Sequence, residues 1–316
     1  MYENLVSVYD NNISLFLYYI MDKYVVYITD LKFKDKRNID PNKAEWFDEN
    51  VKKMYYSDNH DSLEARLMES KKEDYQVLDL SNMNLEVLPN LPKEICMKVR
   101  DLFLSDNKLS GIIDMSAYPN LNVLDLGHNN ITEIKGLTGK LIELDCNDNK
   151  ITTLKIPPLL KLLDCNDNKL EDIPESISMV HLKCNNNRLT EIKRYTNLKK
   201  LTCTHNPIIN INELPNINII DCSNTKLTVF DCRKYLNLKI FISNNSGLEK
   251  FAISNTIESL EIIDTKIGIL DFGSNLKHLV CNLNTKISSS YKNRILDHSI
   301  HKGVIFVCNL DNLKEI

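Results

Sequence analysis

Leu144-Asp145-Cys146-Asn147-Asp148-Asn149-Lys150-Ile151 and Leu163-Asp164-Cys165-Asn166-Asp167-Asn168-Lys169-Leu170 differ only in their last residue and lie 19 residues apart. Both fit the frame Leu-x-Leu-x-x-Asn-x-Leu, with Cys in the second Leu place. The frame recurs at Leu102–Leu109, Leu124–Ile131, Leu182–Leu189 and Leu201–Ile208. It holds more loosely at Leu78–Leu85, Ile220–Leu227, Phe241–Leu248 and Leu260–Ile267, and another copy begins at Leu279. The Asn place of the frame is filled by Met83, Asn107, Asn129, Asn149, Asn168, Asn187, Asn206, Thr225, Ser246, Thr265 and Asn284. A fixed period of this length means stacked copies of one small unit.

Within each unit the apolar residues alternate. Leu163 and Cys165 should face inward and Asp164 outward, the two-residue period of a strand. Too few residues remain in a 19-residue period for an α-helix of ordinary length, so the return path is expected to be extended or a turn of 3₁₀ helix. An inward Asn at the turn can bond backbone groups of its own and the adjacent unit that would otherwise be buried unpaired. Thr225, Ser246 and Thr265 can do part of this, and Met83 cannot. One unit cannot bury enough apolar surface to offset its own ordering, so the copies must stack and share faces.

These units resemble the leucine-rich repeat family, over residues 75–290. The resemblance implies an α/β solenoid, a right-handed superhelix with a parallel sheet on its concave side and a largely extended or 3₁₀ convex side. The short units, with Leu88-Pro89, Leu91-Pro92, Ile173-Pro174 and Leu214-Pro215, are similar to the bacterial effector type. The bias toward Asn, Ile and Lys is similar to the repeat proteins of giant DNA viruses, which would place the chain in the host cytoplasm.

The flanks have the composition of caps. Asp61-Ser62-Leu63-Glu64-Ala65-Arg66-Leu67-Met68 combines an N-cap candidate with apolar residues at helical spacing, so residues 61–74 are expected to form a helical N-cap. Upstream, Ile13–Ile20 and Tyr24–Phe33 flank Met21-Asp22-Lys23 as in a β-hairpin, with a buried helix as the alternative, and Asp40-Pro41 opens a helix carrying Trp46. Residues 1–60 thus read as an appendage. Residues 291–316 read as a C-terminal cap, with a helix over Tyr291–Ile300 and a closing strand at Val304–Cys308.

Thirty-nine Lys and Arg against 43 Asp and Glu, a net charge of −4, argue against a nucleic-acid binder held by phosphate contacts. No apolar run reaches the ~20 residues of a membrane span. Met1-Tyr2-Glu3-Asn4 does not open a secretory signal, which gives the expectation of a cytoplasmic protein with reduced thiols. Cys146, Cys165, Cys184, Cys203 and Cys222 share the repeat spacing and are expected in the core. No zinc pattern of paired Cys occurs, and His298, His301 and Cys308 make an incomplete set. Gly136-Leu137-Thr138-Gly139-Lys140-Leu141 lacks the spacing and hydroxyl of a phosphate loop. The effector resemblance brings to mind a ligase nucleophile at Cys146-Asn147-Asp148 or Cys165-Asn166-Asp167, but both triplets lie inside repeat units. No catalytic residue, cofactor or metal is expected.

One outward column carries information: Asp79, Phe103, Asp125, Asp145, Asp164, Lys183, Thr202, Asp221, Ile242, Glu261 and Val280. Three consecutive Asp on strands ~4.8 Å apart repel one another, which leaves a poor structural rationale and favours a ligand. Glu143 extends that patch. Ile219, Ile240, Ile242, Ile263 and Val280 should add an apolar half. The expectation is a monomeric, non-catalytic protein-binding module. Its concave face, through Asp125, Glu143, Asp145, Asp164, Lys183, Asp221, Ile242 and Glu261, would meet a partner with a basic surface. Two alternatives remain: an adaptor of an enzyme or ubiquitin-ligase complex docked through residues 1–60, and a structural component of a particle.

Overall fold

A computed structural model describes residues 62–270, 275–281, 286–287 and 305–307. The chain divides into Met1–Asp58 and Asn59–Ile316, and all described residues belong to the second unit. The hairpin and helix expected in residues 1–60, Asn284 and the helix expected over 291–300 lie outside the described residues.

Short strands of successive units pair in parallel to form one sheet of twelve, in strict chain order. They run from Val77–Asp79 through Glu143–Asp145, Leu162–Asp164, His181–Lys183, Lys200–Thr202 and Ile219–Asp221 to His278–Cys281 and Ile305–Val307. The register steps by one unit without a slip, as in Leu144 opposite Leu163 opposite Leu182. The middle residue of each triplet, such as Leu144, Leu163 or Ile220, is buried in a single continuous core. Little helix occurs on the return side. Among the described residues the return side has short extended segments that pair two by two, such as Ser110–Asp114 with Asn130–Lys135, a single helical turn at Lys93–Cys96 and a 3₁₀ turn at Cys232–Lys234. This is the solenoid architecture that the 19-residue period predicts.

The turn after each strand requires a left-handed residue. Asn82, Asp106, His128, Asp148, Asp167, Asn186, His205, Asn224, Asn245 and Asp264 all have φ between +47° and +57°, and all belong to the few non-glycine types that enter this region readily. The next residue is the inward Asn. Asn168 accepts the Ile151 amide through Oδ1 at 2.9 Å and donates from Nδ2 to Cys146, Cys165 and Asn166 carbonyls at 2.9–3.3 Å. Asn129, Asn149, Asn187 and Asn206 repeat this arrangement between their own and the preceding unit. Asn107 accepts the amides of both Met83 and Leu85, at 3.0 and 2.9 Å, so the first unit is served from the second. Thr225, Ser246 and Thr265 each donate to a carbonyl three residues back in their own unit.

Cys146, Cys165, Cys184, Cys203 and Cys222 are fully buried below the sheet. Four of them direct Sγ at a carbonyl of the next strand, for example Cys165 at Lys183 O, 3.3 Å away. Phe230, Phe241 and Phe251 stack with centroids 4.4 and 5.2 Å apart. At the first strand the helix Leu63–Lys71, capped by Ser62 accepting the Ala65 amide, sends Arg66 over the sheet edge. Arg66 pairs with Asp79 at 3.3 Å and donates to Ser81 O.

Candidate binding face of the sheet

The first and third residues of every triplet lie on the sheet face opposite the core. Strand alternation alone places Glu143 and Asp145 there beside the inward Leu144. Lys183, Asp221, Asp164, Asp125, Ile242 and Glu261 share the face by the same rule. The outward column lies on this face but is not open to solvent along its length. Asp125 is 1% exposed, Asp164 6%, Glu261 4% and Ile242 7%. Neighbouring strands stand close enough that each side chain is walled by the next.

The expectation that stacked Asp residues lack a structural rationale is corrected. Asp125 Oδ1 accepts the Gly127 amide at 3.0 Å, and Asp145 Oδ1 accepts that of Asn147 at 3.0 Å. Asp164, Asp221 and Asp79 do the same for Asn166, Ser223 and Ser81. Each Asp therefore satisfies an amide that the ending strand leaves without a partner, the usual role of an Asx turn.

After Lys183, Thr202, Ile242 and Glu261 the amide is accepted from the preceding unit. Asn166 Oδ1 accepts Asn185 N at 2.7 Å after Lys183, and Asn185 Oδ1 accepts Thr204 N at 2.8 Å after Thr202. After Ile242 and Glu261 the acceptors are Ser223 Oγ and Asn244 Oδ1. Sequence reasoning missed this second row of side chains. Its signal was present as an Asn or Ser two residues past the third residue of the triplet, at Asn166, Asn185, Ser223 and Asn244.

The charges on the face fall into zones. The Glu143 amide donates to Asn122 O at 3.0 Å, but its carboxyl makes no hydrogen bond among the described residues. Burial first, and then the carboxylates of Asp145, Asp101 and Asp125, push its carboxyl up to about 8. Burial together with Asp164 and Asp125 likewise raises Asp145. Asp164 is raised by burial in spite of the Lys183 ammonium 3.1 Å away. Burial raises Asp221 against its two bonds from Ser223, and takes Glu261 to about 7.

A basic zone follows on the next two strands, where His181 is directly opposite Lys200. Burial, with Lys200, Lys199 and Lys183 nearby, lowers the His181 imidazole to about 4. Burial and Lys183 lower the Lys200 ammonium. Beyond it Ile219 and Ile240 stand opposite one another, followed by Asp221 opposite Ile242. The third residues of the triplets thus join Asp125, Asp145, Asp164, Lys183, Asp221, Ile242 and Glu261 along one face, with Glu143 beside them. The Asn ladder lies at the turn.

Among the described residues no group of His, Cys, Asp and Glu is arranged to hold a metal ion, and no helix is long and apolar enough to cross a membrane. Cys96, Cys146, Cys165, Cys184, Cys203, Cys222 and Cys232 are free and buried. Burial raises the thiols of Cys165 and Cys146, the two that fit the ligase-like triplet, well above their ordinary value. That is the opposite of what activates a nucleophile.

No protein-family model and no curated protein matches the chain. Several solved structures do. The leucine-rich repeat domain of APL1B is 18% identical, covering 75% of this chain and 78% of that one with a TM-score of 0.59. YopM, a leucine-rich effector protein from Yersinia pestis, is 19% identical over 73% of this chain and 79% of that one, TM-score 0.55. A chain of the LRIM1/APL1C complex is 16% identical, TM-score 0.55, over 67% of this chain but only 48% of that one. The likeness at these identities is one of fold, and by its fold the chain is a leucine-rich-repeat solenoid.

Proposed function

We propose that this chain is a non-catalytic protein-binding module, and that its partner docks on the face of the sheet that the repeat resemblance makes concave. The observation that carries the reading is Glu143. The Asp residues of the face have a capping role, but Glu143 caps nothing and is held among three other carboxylates. A Lys or Arg of a partner would favour the charged carboxylate there and displace the proton that Glu143 holds, pairing with it in a site already largely shielded from water. Ile219, Ile240 and Ile242 supply adjoining apolar contact. The likeness to a chain found in a complex, LRIM1/APL1C, supports a protein as the partner. A cytoplasmic setting belongs to the same proposal, supported by the stacked free thiols of the core.

The test is affinity capture with the full chain and with a variant carrying Glu143→Gln, Asp145→Asn and Asp164→Asn, which removes charge while keeping an acceptor oxygen at each cap. Both forms should melt alike. A protein retained by the first and lost by the second is the expected result. Identical captures from the two would sink the reading.

A further inference from the structure

The centre of the same face holds positive charge that the acidic zones do not consume. Lys183 is engaged by Asp164 at 3.1 Å. Lys200, one strand further, forms no ion pair or side-chain hydrogen bond among the described residues, although it is half-buried and Asp221 lies within electrostatic reach. On one side it faces His181 across the sheet and on the other Ile219. A half-buried ammonium against an imidazole and an isoleucine is a costly arrangement unless an anion joins it.

We propose that His181, Lys183 and Lys200 form a seat for a single carboxylate side chain of the partner, and that the face reads a short segment in the order basic, acidic, apolar. The proposal rests on the concave-face reading above and specifies its ligand. The seat is narrow. Asp164 and Asp221 bound it on strands three spacings apart, roughly 14 Å. A polyanion such as a nucleic-acid backbone would meet those carboxylates on either side, whereas one Glu or Asp would not. Lys200 supplies the charge and the neutral imidazole of His181 can donate a hydrogen bond.

The spacing of the zones fixes the segment. Glu143–Asp145 lies three strands before Lys200–Thr202 in the sheet, and Ile240–Ile242 two strands after it. An extended peptide crossing the strands at ~3.3 Å per residue would carry its Lys or Arg about four residues from its carboxylate, and its apolar residue about three residues beyond.

The experiment is selection from a random linear peptide library on the immobilised full chain, followed by fluorescence anisotropy with the enriched peptides. Enrichment of an acidic residue about four positions from Lys or Arg is expected. Lys200→Glu should weaken those peptides by about ten-fold, and replacing the peptide's acid by Lys should restore binding to that variant. Should Lys200→Glu not fold, Lys200→Gln keeps the stem and should abolish the acid preference without reversing it. Peptides indifferent to Lys200 but weakened by Glu143→Gln would overturn the seat while leaving the partner face intact. Indifference to both changes, or no enrichment, would overturn both.

Discussion

Asn185 Oδ1 accepts the amide of Thr204, 19 residues ahead, at 2.8 Å. It does for the next unit what Asp221 does for Ser223 within its own. Removing that oxygen orphans an amide at a strand end with no Asp to replace it. Asn185→Ala should therefore cost about 1–2 kcal/mol in urea unfolding, and Asn185→Asp, which keeps an acceptor, distinctly less. Equal losses from the two would argue that packing, not the amide bond, matters at this position.

The ladder Asn makes bonds in two units at once. Asn168→Ala removes four of them and should lower stability by about 3 kcal/mol. Asn168→Thr should retain part, because Thr225 in its own unit keeps one bond to a carbonyl three residues back. Calorimetric melting of the two variants beside the parent checks the order.

Charge and capping separate at Asp145. Asp145→Asn keeps the acceptor for Asn147 and relieves repulsion, so its stability should stay within about 0.5 kcal/mol of the parent. Asp145→Lys loses the cap and should be clearly less stable. A fully tolerated Lys would show that the Asx turn contributes nothing.

Stability should fall as pH rises from 6.5 to 8. Glu143 ordinarily titrates near 4.5 and is raised to about 8 in the folded chain. The folded state therefore holds a proton that the unfolded chain has released, and this contribution is whole below 4.5 and lost on approaching 8. Glu261, raised to about 7, acts in the same direction. His181 has the opposite sign: lowered from 6.5 to about 4, it removes stability as pH falls between those values and is silent above them. Melting temperature against pH should slope downward above 6.5, and Glu143→Gln should flatten that slope.

Two glycines with positive φ provide an internal comparison. At Gly136, φ +68°, a Cβ would stand 2.3 Å from Ser116 Oγ and 2.5 Å from Ser116 N. At Gly111, φ +71°, it would meet nothing within 4 Å. Gly111→Ala should cost only the left-handed penalty of about 1–2 kcal/mol, and Gly136→Ala appreciably more, as read from denaturant midpoints.

The repeat frame made the solenoid legible because burial follows a period that simple alternation exposes. Leu144, Cys146 and Asn149 each recur where stacking needs them. The Asp column was harder to interpret because alternation says which face Asp125 occupies but not what its oxygen touches. Its cap at Gly127 depends on a turn two residues on, and its burial on neighbouring strands that no single unit contains. The left-handed column was visible as Asn, Asp or His before the ladder positions from Met83 to Thr265, yet it acquires meaning only when the turn geometry is known. Lys200 carries no pattern of its own in the sequence, and only the register sets it against His181.

The two ways of closing a strand end divide the array into parts that differ in independence. A unit ending in Asp, such as that of Asp145 or Asp164, carries its own acceptor for the strand-end amide and borrows none from the unit before it. The units of Lys183 and Thr202 borrow theirs, through Asn166 and then Asn185, and must be inherited as a block behind their donor of oxygen. Gain and loss of repeats should therefore be easiest in the acidic third of the molecule, where two neighbouring copies of the frame still differ by a single residue.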